Sequence, residues 1–195
     1  MGELKNNEEF VGTAFLSCSL REEDRSFIEL IERILLTHKI KPFGTVGRHS
    51  AAPLNIPEHM KINIPKADFV VIAATPRYFQ RDMHTGQNSN GLSEMVHVET
   101  GMAYMANKPV VVFVKEGTNV GNFLPSITEY IVLNEQRDDL KKKWKLINSL
   151  IENAYQIVHS IKKPEATPIS FKGVLTTGLA ILGGIKLLEF LSSDE

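Results

Sequence analysis

The chain has a single cysteine, Cys18, among its 195 residues. One cysteine forms neither an internal disulfide framework nor a cysteine-based zinc site, and it is typical of a protein kept in a reducing compartment. The N-terminal residues 1–10 are polar and acidic, and they lack the basic and then apolar regions of a signal peptide. We therefore expect a cytoplasmic protein.

Net charge is nearly absent as well. The chain carries 22 basic and 23 acidic side chains, so no overall field attracts it to nucleic acid or to an anionic membrane. Neither His84 nor His97 has a partner at the spacing of metal ligands. We expect no nucleic acid as a partner and no metal site.

Short apolar runs alternate with amphipathic helical stretches along most of the chain. This alternation is typical of βαβ units around a parallel sheet. The pattern predicts five strands, at residues 11–17, 40–44, 69–75, 109–114 and 130–134. We expect a flavodoxin-like three-layer α/β sandwich with a parallel five-stranded sheet, whose ligands bind beyond the carboxyl ends of the strands.

The last third of the chain differs in character. We expect residues 1–162 to form one α/β domain with a long packing helix at 135–162, residues 163–170 to be a proline-containing linker, and residues 171–195 to be an apolar C-terminal helix. Residues 171–191 approach the roughly 20 residues of a membrane span. Membrane contact, self-association with a second copy and docking on the chain's own domain all stay open, because so apolar a helix needs cover.

Three loops at the predicted carboxyl ends of strands carry candidate chemistry. Ser17, Cys18 and Ser19 follow the first strand, where their side chains either bind a polar ligand or, for Ser19, cap the next helix. Arg48 follows the second strand and either holds a phosphate or is solvated. Residues 80–91, after the third strand, are polar, and their composition predicts a long mobile stretch suited to a lid.

Glu99 is the residue whose position most needs an explanation. At helical spacing it falls on a stripe of apolar side chains predicted to face the core. The other members of the stripe are Leu92, Met95, Val96, Met102, Ala103 and Ala106. Because an unpaired carboxylate is costly to bury, this side chain must be satisfied, neutralised or used.

Several of these residues resemble the skeleton of a TIR domain. The likeness runs over residues 10–134 and rests on F15-L16-S17, Asp24, A67-D68-F69-V70-V71-I72, Tyr78 and above all S93-E94-M95-V96-H97-V98-E99. In that family a serine precedes a glutamate by six residues at the start of a helix. Ser93 and Glu99 match this spacing.

The resemblance implies an activity. Many TIR domains cleave NAD between nicotinamide and ribose with one glutamate and no cofactor, which would make Glu99 catalytic and place substrate binding on Ser17, Cys18, Ser19, Phe43, Arg48 and Ser93. Related sites are often completed by a neighbouring copy, so a homo-oligomer formed through the TIR domains and the C-terminal helix is implied. A role in prokaryotic antiviral defence, by NAD depletion or by a nucleotide signal for a downstream effector, is implied too.

Two alternatives from other classes stay open. The segments E99-T100-G101-M102-A103 and N107-K108-P109-V110 also resemble nucleoside 2-deoxyribosyltransferases, which use a glutamate nucleophile on a related sandwich. Those enzymes usually have an aspartate six residues before the glutamate, where this chain has Ser93. The other alternative is a non-catalytic TIR adaptor that acts by self-association.

Overall fold

The computed structural model describes residues 10–44 and 55–162. Seven strands occur in this part of the chain: β1 (Gly12–Ser17), β2 (Ile40–Phe43), β3 (Phe69–Ala74), β4 (Tyr78–Arg81), β5 (Asn88–Gly91), β6 (Val110–Lys115) and β7 (Tyr130–Leu133). Five of them form a parallel sheet in the order β2-β1-β3-β6-β7. The predicted α/β fold is confirmed, and with β4 and β5 set aside the strand order is that of flavodoxin-like sheets.

Helices cover both faces of this sheet, which gives the three predicted layers. The α-helices are α1 (Arg25–Thr37), α2 (Ile56–Asn63), α3 (Glu94–Met105), α4 (Phe123–Ile127) and α5 (Arg137–Lys162). The buried side chains of α1 and α5 share one core with one face of the sheet, and those of α2, α3 and α4 share the other. The sheet therefore separates the catalytic candidate on α3 from the long helix α5.

The apolar patterns of the sequence explain these elements. All six residues of β3 are buried, as expected for an interior parallel strand covered on both sides. In α1, Phe27, Ile31 and Leu35 recur every fourth residue and are buried. The helix stops at His38, and Lys39 has a positive φ of 56° that turns the chain into β2.

The long packing helix is present as α5, which begins at Arg137. Ile147, Ile151, Ala154 and Val158 are buried against the sheet. Burial of aliphatic side chains of this size stabilises by about 1.5–3 kcal/mol each for the larger ones. The helix is thus part of the domain's core.

The stretch after β3 differs from its prediction. Residues 80–91 were expected to be a long mobile segment, but β4 and β5 pair antiparallel within them, with Tyr78 opposite Gly91 and Arg81 opposite Asn88. The turn that joins the strands is held by Asp82, whose Oδ1 accepts hydrogen bonds from the backbone N–H of His84 (2.8 Å) and Thr85 (2.7 Å). We call this two-stranded unit, residues 78–91, the ribbon.

The expected linker (163–170) and C-terminal helix (171–195) lie outside the described residues, as does Arg48. No helix within residues 10–44 and 55–162 is both long and apolar enough to cross a membrane.

Candidate active site

A cavity of about 540 Å³ lies at the carboxyl ends of β1 and β3. This is the edge at which parallel α/β sheets bind their ligands. Five of the residues predicted for the site line this one cavity: Ser17, Cys18, Ser19, Ser93 and Glu99. Residues 76 positions apart in the sequence thus meet because β1 ends where α3 begins.

Glu99 reaches the cavity from the second turn of α3. Ser17 is the last residue of β1, and its hydroxyl donates a hydrogen bond to Oε2 of Glu99. Burial raises the pKa of the Glu99 carboxyl from its ordinary value of 4.5 to about 7, and the hydrogen bond from Ser17 opposes part of that rise. The carboxylate on the apolar stripe is therefore satisfied by one hydroxyl and faces the cavity.

Ser93 performs the role that its position predicts for a helix start. Its backbone is extended, with φ −65° and ψ 138°, and its Oγ accepts a hydrogen bond from the N–H of Met95 (3.3 Å). This is an N-cap. Since Val96 and Glu99 follow at three-residue intervals, they share one face of α3 with the cap, and all three line the cavity.

Ser19 does not cap a helix. Its Oγ accepts hydrogen bonds from the backbone N–H (3.2 Å) and from Nε (3.3 Å) of Arg21. The N-terminal caps of the elements that follow, Arg21 and Asp24, make no side-chain cap hydrogen bond. Of the two alternatives for Ser19, capping is wrong. Its side chain lines the cavity and orients Arg21.

Sequence reasoning missed a buried network beside the cavity. Asp24 is 1% exposed, and its Oδ2 accepts hydrogen bonds from Nε (3.0 Å) and Nη2 (2.7 Å) of Arg21 and from the Thr75 hydroxyl (3.1 Å). Arg21 also donates to the carbonyl oxygen of Pro76. The network joins the loop after β1 to the loop after β3. An aspartate three residues after an arginine was the available signal.

Phe43 is placed beside the cavity and not in its lining. Its ring packs edge-on against Phe15, with the centroids 6.4 Å apart, and Phe15 lines the cavity. The next residue, Gly44, has a φ of +92° and accepts a hydrogen bond at its carbonyl oxygen from His59 Nε2. Phe43 thus positions a wall of the cavity through Phe15.

Two further cavity residues were not predicted to bind substrate. Arg77 is exposed, lines the cavity and makes no side-chain hydrogen bond or ion pair to any residue in the described part of the chain. Tyr78, at the start of the ribbon, lines the cavity with a half-exposed aromatic ring. Their place directly after a buried strand was a usable signal.

The lining provides one carboxylate. Glu99 is the sole acidic residue among the described residues that line the cavity. His59 also lines it, but Nε2 is bonded to Gly44 O and Nδ1 lies 3.2 Å from Nδ2 of Asn63. Nowhere in residues 10–44 and 55–162 do three or more histidine, cysteine, aspartate or glutamate side chains cluster as a metal site.

No protein-family model matches the chain, and no curated protein sequence matches it. Two solved structures are similar. The CMP N-glycosidase BcmB of Clostridium botulinum is 14% identical, with a TM-score of 0.43, and the match covers 68% of this chain and 98% of that one. The solution structure of BlsM is 19% identical, with a TM-score of 0.45, and the match covers 80% and 97%. With both TM-scores below 0.5, arguments about activity rest on this chain's own geometry.

Proposed function

We propose that the protein is an N-glycosidase that hydrolyses the bond between nicotinamide and ribose in NAD. The observation that carries the proposal is the single carboxylate of Glu99, half-buried in a cavity at the carboxyl edge of the sheet. Cleavage of such a bond leaves positive charge on the ribose, in an oxocarbenium-like transition state. A fixed carboxylate in a partly dry site stabilises that charge.

The number of acidic groups favours NAD within the N-glycosidase class. Ordinary glycosidases use two carboxyl groups, one of which protonates the leaving group. Nicotinamide bears its positive charge in NAD and departs neutral, so it needs no proton donor. A cavity whose described lining offers one carboxylate matches a substrate of this kind.

The reaction assigns a role to each of the two central residues. Ionised Glu99 lies at the cavity wall, where it faces the anomeric carbon and stabilises or traps the ribosyl cation as the carbon–nitrogen bond breaks. Water then adds to that carbon, so NAD and water give ADP-ribose, nicotinamide and one proton. The Ser17 hydroxyl orients the carboxylate and favours its ionised form.

The rim of the cavity offers groups for the rest of the dinucleotide. Arg77 is a guanidinium without a described partner, which suits a diphosphate. Tyr78 offers an aromatic face for a base. Arg21 is less suited, because Asp24 and Pro76 already occupy its donors. Arg48 stays a predicted phosphate ligand on the residues outside the description.

A second candidate is release of a base from a nucleotide or deoxynucleoside, with the Glu99 nucleophile of the deoxyribosyltransferase resemblance. The raised pKa of about 7 favours it, because near neutral pH about half of the molecules carry a protonated Glu99 that is able to donate a proton to a leaving base. The two candidates demand opposite protonation states of one residue. Their pH profiles therefore have opposite slopes near pH 7.

The experiment that tests the proposal is incubation of the purified chain with equal concentrations of NAD, CMP and deoxycytidine, with products identified by mass spectrometry. CMP is included because the description of BcmB names it as that protein's substrate. We expect nicotinamide and ADP-ribose, or an isomer of it, from NAD and little base release from the others. Base release from CMP or deoxycytidine with intact NAD contradicts the proposal and supports the second candidate.

The wider setting follows the TIR resemblance. In it, copies of the domain assemble so that a neighbour completes the site, and NAD loss or a nucleotide product serves prokaryotic antiviral defence. The rate of NAD cleavage per molecule should then rise with protein concentration or on addition of a crowding agent. A rate per molecule that stays constant over a hundredfold range of concentration contradicts assembly, while leaving the glycosidase chemistry intact.

A further inference from the structure

A second concave surface lies on the α2–α3 face, away from the catalytic cavity. It is a groove of about 490 Å³ between the end of α2 and the later turns of α3. Its lining is apolar, and it includes Ile64, Pro65, Val98, Gly101, Met102 and Met105. We call it the α2–α3 groove. None of these six residues lines the catalytic cavity.

The groove leaves large apolar side chains in contact with solvent. Met105 is 80% exposed and Val98 is 48% exposed. A Cβ added to Gly101 would meet no atom within 4 Å, so the groove has an open floor where a second backbone fits closely. Contiguous apolar surface of this kind marks a place where another apolar element packs.

We propose that the α2–α3 groove is covered by residues 171–191 of the same chain. These residues are almost all apolar and include Leu175, Leu179, Leu182 and Ile185. The proposal goes beyond the catalytic function and does not depend on it. It selects, among the alternatives that the sequence leaves open, docking of the C-terminal segment on its own domain.

The place where the described chain ends supports this occupant. Tyr155, near the end of α5, lies 3.9 Å from the position of a Cβ on Gly12, the first residue of β1. The end of α5 is therefore at the edge of the sheet where the strands begin. The groove is at the same edge, because Ile64 and Pro65 lead into β3 and Met105 leads toward β6.

The intervening chain is long enough to make the crossing. From the α5 layer to the α2–α3 layer is two layer spacings, roughly 20 Å at about 10 Å each. Residues 163–170 precede the apolar segment, and eight extended residues span about 28 Å. A tether of this length gives the segment a high effective concentration at its own groove, which favours it over a second copy in dilute solution.

The charges are compatible with the same arrangement. Lys61 is the charged residue among those that line the groove, whereas residues 173–185 of the segment carry no charge and Glu189 follows near its end. Docking therefore buries no obligatory unpaired charge of the segment, and Glu189 is available as a partner for Lys61 at the margin.

The test is disulfide trapping in the full chain. In a Cys18→Ser background, Met105→Cys is combined in turn with Leu175→Cys, Leu179→Cys and Leu182→Cys, and oxidation is followed on a non-reducing gel with thiol counting. The matched control is Tyr104→Cys, which is exposed on the same turn of α3 but does not line the groove. Val98→Cys is a second groove position in case Met105→Cys impairs folding.

We expect at least one groove pair to form a disulfide within the monomer at least tenfold faster than the corresponding Tyr104→Cys pair. Equal rates for groove and control positions contradict the proposal. A disulfide-linked dimer as the main product identifies a second copy as the occupant and also overturns it. Loss of trapping together with co-sedimentation, on addition of phosphatidylcholine–phosphatidylglycerol vesicles, makes lipid the preferred occupant and overturns it likewise.

Discussion

At the scale of single residues, Glu99 and Ser17 form the centre of the account. The carboxylate occupies a place on α3 where its neighbours Val96 and Ala103 are buried in the core. One hydroxyl from β1 satisfies it, and burial still raises its pKa to about 7. A structural glutamate on that stripe would be expected to have more hydrogen-bond donors, because an under-satisfied buried carboxylate destabilises the fold.

The role of Ser17 predicts a change in pH dependence. Its hydrogen bond lowers the pKa of Glu99, so Ser17→Ala should raise that pKa further above about 7. Because the proposed reaction needs the ionised form, the acid limb of the pH–rate profile should move to higher pH. Activity should fall at pH 7 and partly recover at pH 9.

The measurement is kcat for NAD cleavage from pH 5.5 to 9.5. Ser17→Thr, which keeps the hydroxyl, should restore the wild-type profile. A uniform loss of activity at every pH, with the limb unmoved, would contradict the role assigned to Ser17.

At the scale of elements, the loops after β1, β2 and β3 hold the cavity together. The Arg21–Asp24–Thr75 network joins two of them. The third begins at Gly44, whose positive φ brings its backbone against the Phe15 ring. A Cβ built there would lie 2.3 Å from Cδ2 of Phe15, a distance that side chains do not adopt.

This contact predicts the effect of Gly44→Ala. The substitution combines an unfavourable φ, at about 1–2 kcal/mol, with overpacking against an aromatic ring, at about 1–3 kcal/mol. Gly117→Ala is the matched control, because Gly117 has a similar φ of +82° but nothing within 4 Å of its added Cβ.

Urea denaturation should therefore show a larger loss for Gly44→Ala than for Gly117→Ala, with a difference of about 1 kcal/mol or more. Equal losses would mean that the Phe15 contact relaxes freely and does not shape the cavity.

The elements also show what the sequence determines. β3 and β6 are continuous apolar runs, and α1 has a four-residue apolar repeat, so their type follows from periodicity. The ribbon was missed because β4 and β5 are exposed and mostly polar, with no alternating apolar face. Its signal is local, in the Asp82 turn and in Gly86 with φ +70°.

The site was predictable to a similar degree. The six-residue spacing from Ser93 and the rule on strand ends brought Glu99, Ser17 and Ser93 to one place. The Asp24 network was not predictable, because its partners Arg21 and Thr75 meet only after β1 and β3 pair in register. Pairwise contacts between loops depend on tertiary geometry that no single-chain pattern encodes.

At the scale of the whole molecule, the catalytic carboxylate affects stability. Its folded pKa of about 7 exceeds the ordinary 4.5, so the folded state binds the proton more tightly than the unfolded state does. Stability is then greatest below about pH 4.5, as far as this group is concerned, and falls as pH rises through about 7. The difference of about 2.5 in pKa corresponds to on the order of 3 kcal/mol.

Glu99→Gln should remove this penalty. The variant should be more stable than the wild type at pH 8, by up to about 3 kcal/mol, and close to it at pH 5, as measured by urea denaturation. Glu94→Gln, an exposed glutamate of the same helix, controls for loss of a surface charge. A stability difference that is the same at pH 5 and pH 8 would contradict a strongly raised pKa.

The most direct test of the central claim is the rate of nicotinamide release from NAD by Glu99→Gln, at saturating NAD and pH 8, beside the wild type and Glu94→Gln. If the Glu99 carboxylate stabilises the ribosyl cation, Glu99→Gln loses about two to three orders of magnitude in turnover while it melts as a folded protein. Glu94→Gln, whose side chain lies outside the cavity lining, stays within about twofold of the wild type. A folded Glu99→Gln that releases nicotinamide at the wild-type rate would contradict the account.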